Sequence, residues 1–135
     1  MKMNPYINFA GTAEEALNLY KEVFGGEIQE LGRFGESMEV SDDYKQKILH
    51  AKFVFGNNLL MVSDSMQGQP VQEGGNIHLS IDLDDEKKME EIFQKLSEGG
   101  KITMPLQDTF WGARFGMLVD KYGVGWMFNH DKPKQ

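Results

Sequence analysis

A chain of 135 residues, 40% of them hydrophobic, has the size and apolar content of one domain with one core. Its formal charge of −7 and the lack of any basic block exclude the clustered Lys and Arg of a nucleic-acid footprint and the polybasic patch that docks on anionic membranes. With no cysteine, a disulfide framework, a thiolate nucleophile and a Cys-ligated metal are excluded as well.

The opening MKMNPYINF holds no long apolar run, and no stretch of the sequence is apolar for long enough to cross a bilayer. A soluble cytoplasmic protein is therefore expected. Pro5 to Phe9 reads as a short strand. Thr12 reads as a helix N-cap, with Glu15 three residues on completing a capping box. Ala13, Ala16, Leu17, Tyr20 and Phe24 follow at helical spacing and give that helix one apolar face. Gly25-Gly26 stops it. Glu27 to Phe34 reads as a strand, followed by the polar loop GESMEVSDDYKQK. From Ile48 to Phe55 the pattern alternates, with Ala51, Phe53 and Phe55 on one face and His50, Lys52 and Val54 on the other. The sequence GNN at 56–58 signals a hairpin turn, and Leu59 to Ser63 returns as the partner strand.

The polar, glycine-rich stretch SDSMQGQPVQEGG then breaks the pattern, and the order starts again. Ile77, Leu79 and Ile81 alternate as a strand whose apolar side is expected to face a helix. Asp84 or Asp85 caps that helix, which carries Met89, Ile92, Phe93 and Leu96. Gly99-Gly100 stops it, 74 residues after the first glycine pair. Lys101 to Leu106 is a strand, and WGARFGMLVDKYGVGWMFN, from Trp111 to Asn129, supplies two more on either side of DKYG. Each half reads β-α-β-β-β, so the chain is an internal repeat. The expected organisation is a single domain over 1–135, with modules of about 1–65 and 75–131 and a linker over 66–74.

The repeated order, AEEALNLYKEVFGGE after the first strand and the aromatic C-terminal stretch resemble the glyoxalase/bleomycin resistance/dioxygenase superfamily, also called the vicinal oxygen chelate superfamily. NPYINF, LMVSD and the terminal WGARFG…DKYGVGWMFN resemble its PhnB-like branch in particular. The resemblance covers nearly the whole chain. It implies an α+β fold of two βαβββ modules, whose strands curl into an open U-shaped half-barrel with helices on the convex side and a binding pocket on the concave side. It also implies a homodimer.

Metalloenzymes of that superfamily place His, Gln or Glu ligands on strands one, four, five and eight. The matching positions here are Pro5, with Asn8 as the other register, then Met61, Asn76 and Met127. Proline offers no side-chain donor, a thioether prefers soft copper, and a lone amide oxygen is weak. The resemblance thus predicts no metal at the usual site and no other cofactor.

His50 and His78 are the candidate catalytic residues, since strand parity turns both away from the helices and an imidazole serves as acid, base or hydrogen-bond donor. With them, Asn76, Trp111, Arg114, Phe115 and Asn129 make up the expected ligand-binding set. Arg114 would clamp a carboxylate or phosphate, or else pair with one of the many acidic residues. Trp111 would stack on a ligand or pack in the core. Asp64 is expected to cap a turn rather than act as a base, and His130, beside the tail DKPKQ, to be solvated. The function these residues point to is the binding of a small organic molecule. The alternative is a lyase, isomerase or dioxygenase-like enzyme using His50 and His78. A methyltransferase is not expected, because the strand–helix junction FAGTAEE has a single glycine and βαβββ is not the order of a doubly wound nucleotide-binding sheet.

Overall fold

The computed structural model describes residues 1–133, and the end of the DKPKQ tail lies outside the described residues. The chain divides into two compact units, Met1–Gln72 and a second beginning at Glu73.

In the first unit, β1 (Tyr6–Phe9) leads to α1 (Ala13–Phe24). β2 (Glu27–Arg33), the single turn α2 (Phe34–Ser37) and a 3-10 turn at Asp42–Tyr44 follow, then β3 (Ile48–Phe55) and β4 (Asn58–Asp64). The sheet order is β1-β4-β3-β2, with β1 parallel to β4 and the other pairs antiparallel. β3 and β4 form the expected hairpin, with Phe55 opposite Asn58 across Gly56-Asn57. Register sets the core: Ala51 stands opposite Val62 and Phe53 opposite Leu60, all buried. Ala13, Ala16, Leu17, Tyr20 and Val23 are the buried side of α1 over this sheet.

Two expectations fail here. Thr12 makes no side-chain cap. The Ala13 amide donates instead to Asp64 Oδ1, at 2.9 Å, so the acceptor comes from the end of β4. A buried carboxylate accepts more strongly than a hydroxyl, and it displaces the local capping box. Phe34 leaves the strand: β2 ends at Arg33, and the buried Phe34 ring packs on Tyr44, centroids 5.2 Å apart.

The second unit repeats the connectivity with β5 (Leu79–Asp82), α3 (Glu86–Ser97), β6 (Lys101–Asp108), β7 (Ala113–Val119) and β8 (Gly125–Asp131). Its order is β5-β8-β7-β6, with β5 parallel to β8. The expected Asp85 cap is present, accepting from the Lys88 amide at 3.0 Å. Met89, Ile92, Phe93 and Leu96 are buried on α3, and Phe93 meets Phe128 edge-on at 5.7 Å.

The strand here begins later than expected. Ile77 is 78% exposed, because the ladder with β8 starts only at Leu79, opposite Trp126. His130 is buried rather than solvated, with Nδ1 2.9 Å from the Leu83 carbonyl. Alternation along β8 puts it on the same side as Trp126 and Phe128, which is the side that α3 covers.

Candidate functional site

Because α1 covers the face with Ala51, Phe53, Leu60 and Val62, the intervening residues lie on the opposite face of the first sheet. These are Tyr6, Asn8, His50, Lys52, Met61 and Ser63, and register brings them together: Tyr6 is opposite Met61, Met61 opposite Lys52, and Asn8 opposite Ser63. The Tyr6 hydroxyl lies 3.1 Å from His50 Nδ1, with the rings tilted and their centroids 5.8 Å apart. If the phenol donates, Nδ1 accepts and a neutral imidazole carries its proton on Nε2; if Nδ1 carries the proton, the phenol oxygen accepts. The Ser63 hydroxyl donates to Asn8 Oδ1 at 2.7 Å.

Next to His50, Lys52 Nζ sits 2.6 Å from Glu30 Oε2 and holds that carboxyl below the usual glutamate range, by its hydrogen bond first and its charge second. Glu30 has φ of +50°, in the stretch of β2 where register slips between Gln29 and Gly32. A non-glycine residue in that region is strained by about 1–3 kcal/mol, and a bulge of this kind re-aims a side chain. This bulged stretch carries the carboxylate that pairs with Lys52, on the strand of His50.

The face of the second sheet opposite α3 carries Ser80, Phe115, Met117, Met127 and Asn129, with Phe115 opposite Asn129 and Met117 opposite Met127. Asn129 Nδ2 donates to Asp131 Oδ1 at 3.1 Å. His78 precedes β5, and its half-buried ring lies over Gly125: a Cβ there would come within 2.9 Å of His78 Cδ2. Asn76 is exposed in the bend ahead of the strand, so it does not hold the strand position expected for it. Trp111 is 55% exposed in the β6–β7 turn and meets Phe110 at 5.0 Å and Phe115 at 5.9 Å.

Arg114 does not join this face. It shares its side of β7 with Gly116 and Leu118, toward α3, and its guanidinium is taken up by Glu90 at 3.0 Å, Asp108 at 3.4 Å and Glu86 at 3.5 Å. Of its two expected roles, the ion pair is the one seen. Asp64 is buried with both oxygens engaged, Oδ1 by the Ala13 amide and Oδ2 by the Ile48 amide, each at 2.9 Å.

The superfamily's metal finds no fitting donors. Pro5 precedes β1 and contributes its carbonyl to the Met61 amide. Met61 and Met127 present thioethers, and Asn8 and Asn76 present amides. Such a set does not suit a hard divalent ion. Among the described residues, no group of three or more His, Asp or Glu is placed to hold a metal.

Sequence reading missed Tyr6 and Glu30. Tyr6 carried a signal, since it shares the parity of Asn8 once Asn8 rather than Pro5 is taken as the strand-one residue. The positive φ of Glu30 carried none.

Residues 1–128 match the family model described as 3-demethylubiquinone-9 3-methyltransferase. Protein PA1353 from Pseudomonas aeruginosa is 38% identical, with a TM-score of 0.89 over 98% of this chain and 99% of that one. The PhnB protein from Bacillus cereus is 30% identical, with a TM-score of 0.84 over 96% and 99%. The fosfomycin resistance protein FosX from Listeria monocytogenes is 10% identical, and its TM-score of 0.69 over 98% and 94% is a likeness of fold. With the βαβββ order present in both units and a fold like that of FosX, the chain belongs to the PhnB-like family, described by its model as 3-demethylubiquinone-9 3-methyltransferase.

Proposed function

We propose that this chain binds a small organic molecule on the face of its first sheet opposite α1, without a divalent metal. The observation that carries this reading is the Tyr6–His50 hydrogen bond on the sheet face opposite α1. A ligand site is mostly apolar with a few fixed polar groups. Here the fixed groups are the His50 imidazole, oriented by Tyr6, and the Asn8–Ser63 pair, beside the half-buried Met61. The face of the second sheet opposite α3 offers a set of its own for such a molecule, His78, Phe115 and Asn129, with Trp111 at the turn. Asn76 and Arg114 leave the set for the reasons given above.

Methyl transfer is not part of the proposal. A nucleotide-type cofactor asks for a parallel doubly wound sheet with a glycine-rich first turn. Each sheet here is mixed, and the β1–α1 junction carries Gly11 alone.

The test is a thermal-shift screen of small organic acids and aromatic compounds, followed by titration of each hit against Tyr6→Phe and His50→Gln. A ligand at 100 times its Kd adds about 2.7 kcal/mol of stability, well within detection. At least one hit should lose affinity roughly tenfold or more in both variants, as truncating one partner of an oriented hydrogen bond does. A screen without hits, or with hits indifferent to both residues, overturns the proposal.

The same pair favours a second reading, an enzyme of the lyase, isomerase or dioxygenase-like kind, in which His50 moves a proton while Tyr6 fixes its tautomer. Turnover of a screened hit that disappears in His50→Gln while binding of that hit persists would select it.

A further inference from the structure

We propose that the second unit holds a soft-metal site for monovalent copper, made of Met104, Met117 and Met127 with His78 beside them. The three thioethers stand in one cross-strand row. Met104 on β6 is opposite Met117 on β7, and Met117 is opposite Met127 on β8. Directly opposed residues of antiparallel strands leave the sheet on the same face with Cβ atoms about 4.5–5.5 Å apart. All three side chains therefore rise from the face opposite α3.

Register makes the row. β6 is irregular between Ile102 and Met104 and again between Met104 and Gln107, and these two shifts are what bring Met104 opposite Met117. His78 reaches the same face from the far side of β8. Its ring occupies the space that Gly125 leaves open, two residues before Met127. Burial suits a ligand set: Met117, Met127 and His78 are half-buried and Met104 is 36% exposed, whereas Met89 is locked in the core.

The chemistry follows from the donors. A thioether is neutral and has no proton to lose. It selects Cu(I) over hard ions such as Mg(II) or Mn(II), and imidazole also suits copper. The sequence has no cysteine, so no thiolate in the chain outcompetes the row. Methionine gains little from a pleated surface, where branched and aromatic side chains pack better, and three in register call for a reason beyond strand propensity. The inference does not rest on the proposed organic ligand. It shares only His78 with the proposed ligand contacts and nothing with the Tyr6–His50 pair.

The experiment uses the full chain with 13C-methyl methionine, titrated with Ag(I) as a redox-inert stand-in and with Cu(I) anaerobically against a chromogenic chelator. One equivalent should bind, and the methyl resonances of Met104, Met117 and Met127 should move together with the His78 ring signals, while Zn(II) leaves the methyls in place. Met117→Leu/Met127→Leu should weaken binding by at least about tenfold, the scale on which loss of a metal-site group is felt, and Met66→Leu should not. Should the double variant fail to fold, Met104→Leu at the exposed edge keeps the fold and should itself weaken binding. The proposal is overturned by an absence of stoichiometric binding, by shifts spread equally over Met1, Met3 and Met66, or by affinity unchanged in the Met104 and the double variants.

Discussion

Asp64 and Asp120 show how single residues tie this chain together. Asp64 receives the first amide of α1 and the first amide of β3 on its two oxygens. Asp120 accepts from the Tyr122 and Val124 amides on Oδ1 and from the Trp126 indole on Oδ2 at 2.9 Å. Both are buried. Removing Asp64 leaves two buried amides unanswered, so Asp64→Ala should lose roughly 3–6 kcal/mol in urea denaturation, given about 1.5–3 kcal/mol for each charge-assisted bond. Asp64→Asn should lose less, since one acceptor oxygen remains. A loss below about 1 kcal/mol in the alanine variant would show that water replaces the carboxylate without cost. The sequence disclosed Asp64 as a cap but not the element it caps, because the capping is between segments 51 residues apart. His130 was misplaced, and Arg114 was left with two roles, for a different reason. β7 and β8 are apolar on both faces, so hydrophobicity does not say which side meets α3. Shape decides it: a Cβ on Gly116 would lie 3.0 Å from the Phe93 ring, and that glycine admits the helix to the even-numbered side of β7.

Among elements, the paired glycines were the most legible feature, and the structure gives them matching tasks. Gly25 and Gly99 end α1 and α3 with φ of +75° and +73°. Their successors lie flat on a neighbouring strand, where a Cβ on Gly26 would meet the Val54 carbonyl at 2.2 Å and one on Gly100 the Val119 carbonyl at 2.2 Å. Gly25→Ala meets no atom within 4 Å and should cost only the conformational strain, about 1–3 kcal/mol. Gly26→Ala must displace a strand and should cost clearly more, to the point of losing the folded state. Equal melting temperatures for the two variants would contradict this account. The helix is also tied to the loop after β2: Arg33 reaches both oxygens of Glu14, at 3.0 and 2.6 Å, and the Gln46 carbonyl. The Arg33 hydrogen bond holds the Glu14 carboxyl below the usual glutamate range against a smaller opposing effect of burial. A lowered folded pKa means that this pairing stabilises the protein fully above the ordinary glutamate value and is lost as pH falls from there through the folded value. Stability measured across that acid window should therefore fall less steeply in Glu14→Gln than in the parent chain. The difference will be small, because Glu14 is half exposed and screened. An unchanged slope would mean that Arg33 serves the Gln46 carbonyl alone.

For the whole molecule, the repeat read from the sequence reappears as two units of the same connectivity, and the terminal aromatic stretch divides between two environments. Trp126 and Phe128 are core, Phe115 is half-buried on the face opposite α3, and Trp111 stays in the open with Phe110, which is 97% exposed. Exposed aromatic pairs of this kind mark association surfaces. β6, the edge of its sheet, is poorly suited to adding a strand, since Pro105 removes a donor and two register shifts distort the ladder. Association through Phe110 and Trp111 would thus be made by side chains rather than by backbone pairing. Two copies meeting there should give a homodimer, and light scattering at micromolar concentration should report about twice the chain mass of 15.4 kDa. Phe110→Ser/Trp111→Ser should raise the dimer dissociation constant by roughly thirtyfold or more, the loss of about 2 kcal/mol or more that a buried aromatic anchor represents, with the circular dichroism spectrum unchanged. A monomer at every concentration would refute the dimer. A dimer untouched by the double substitution would move its interface away from the β6–β7 turn.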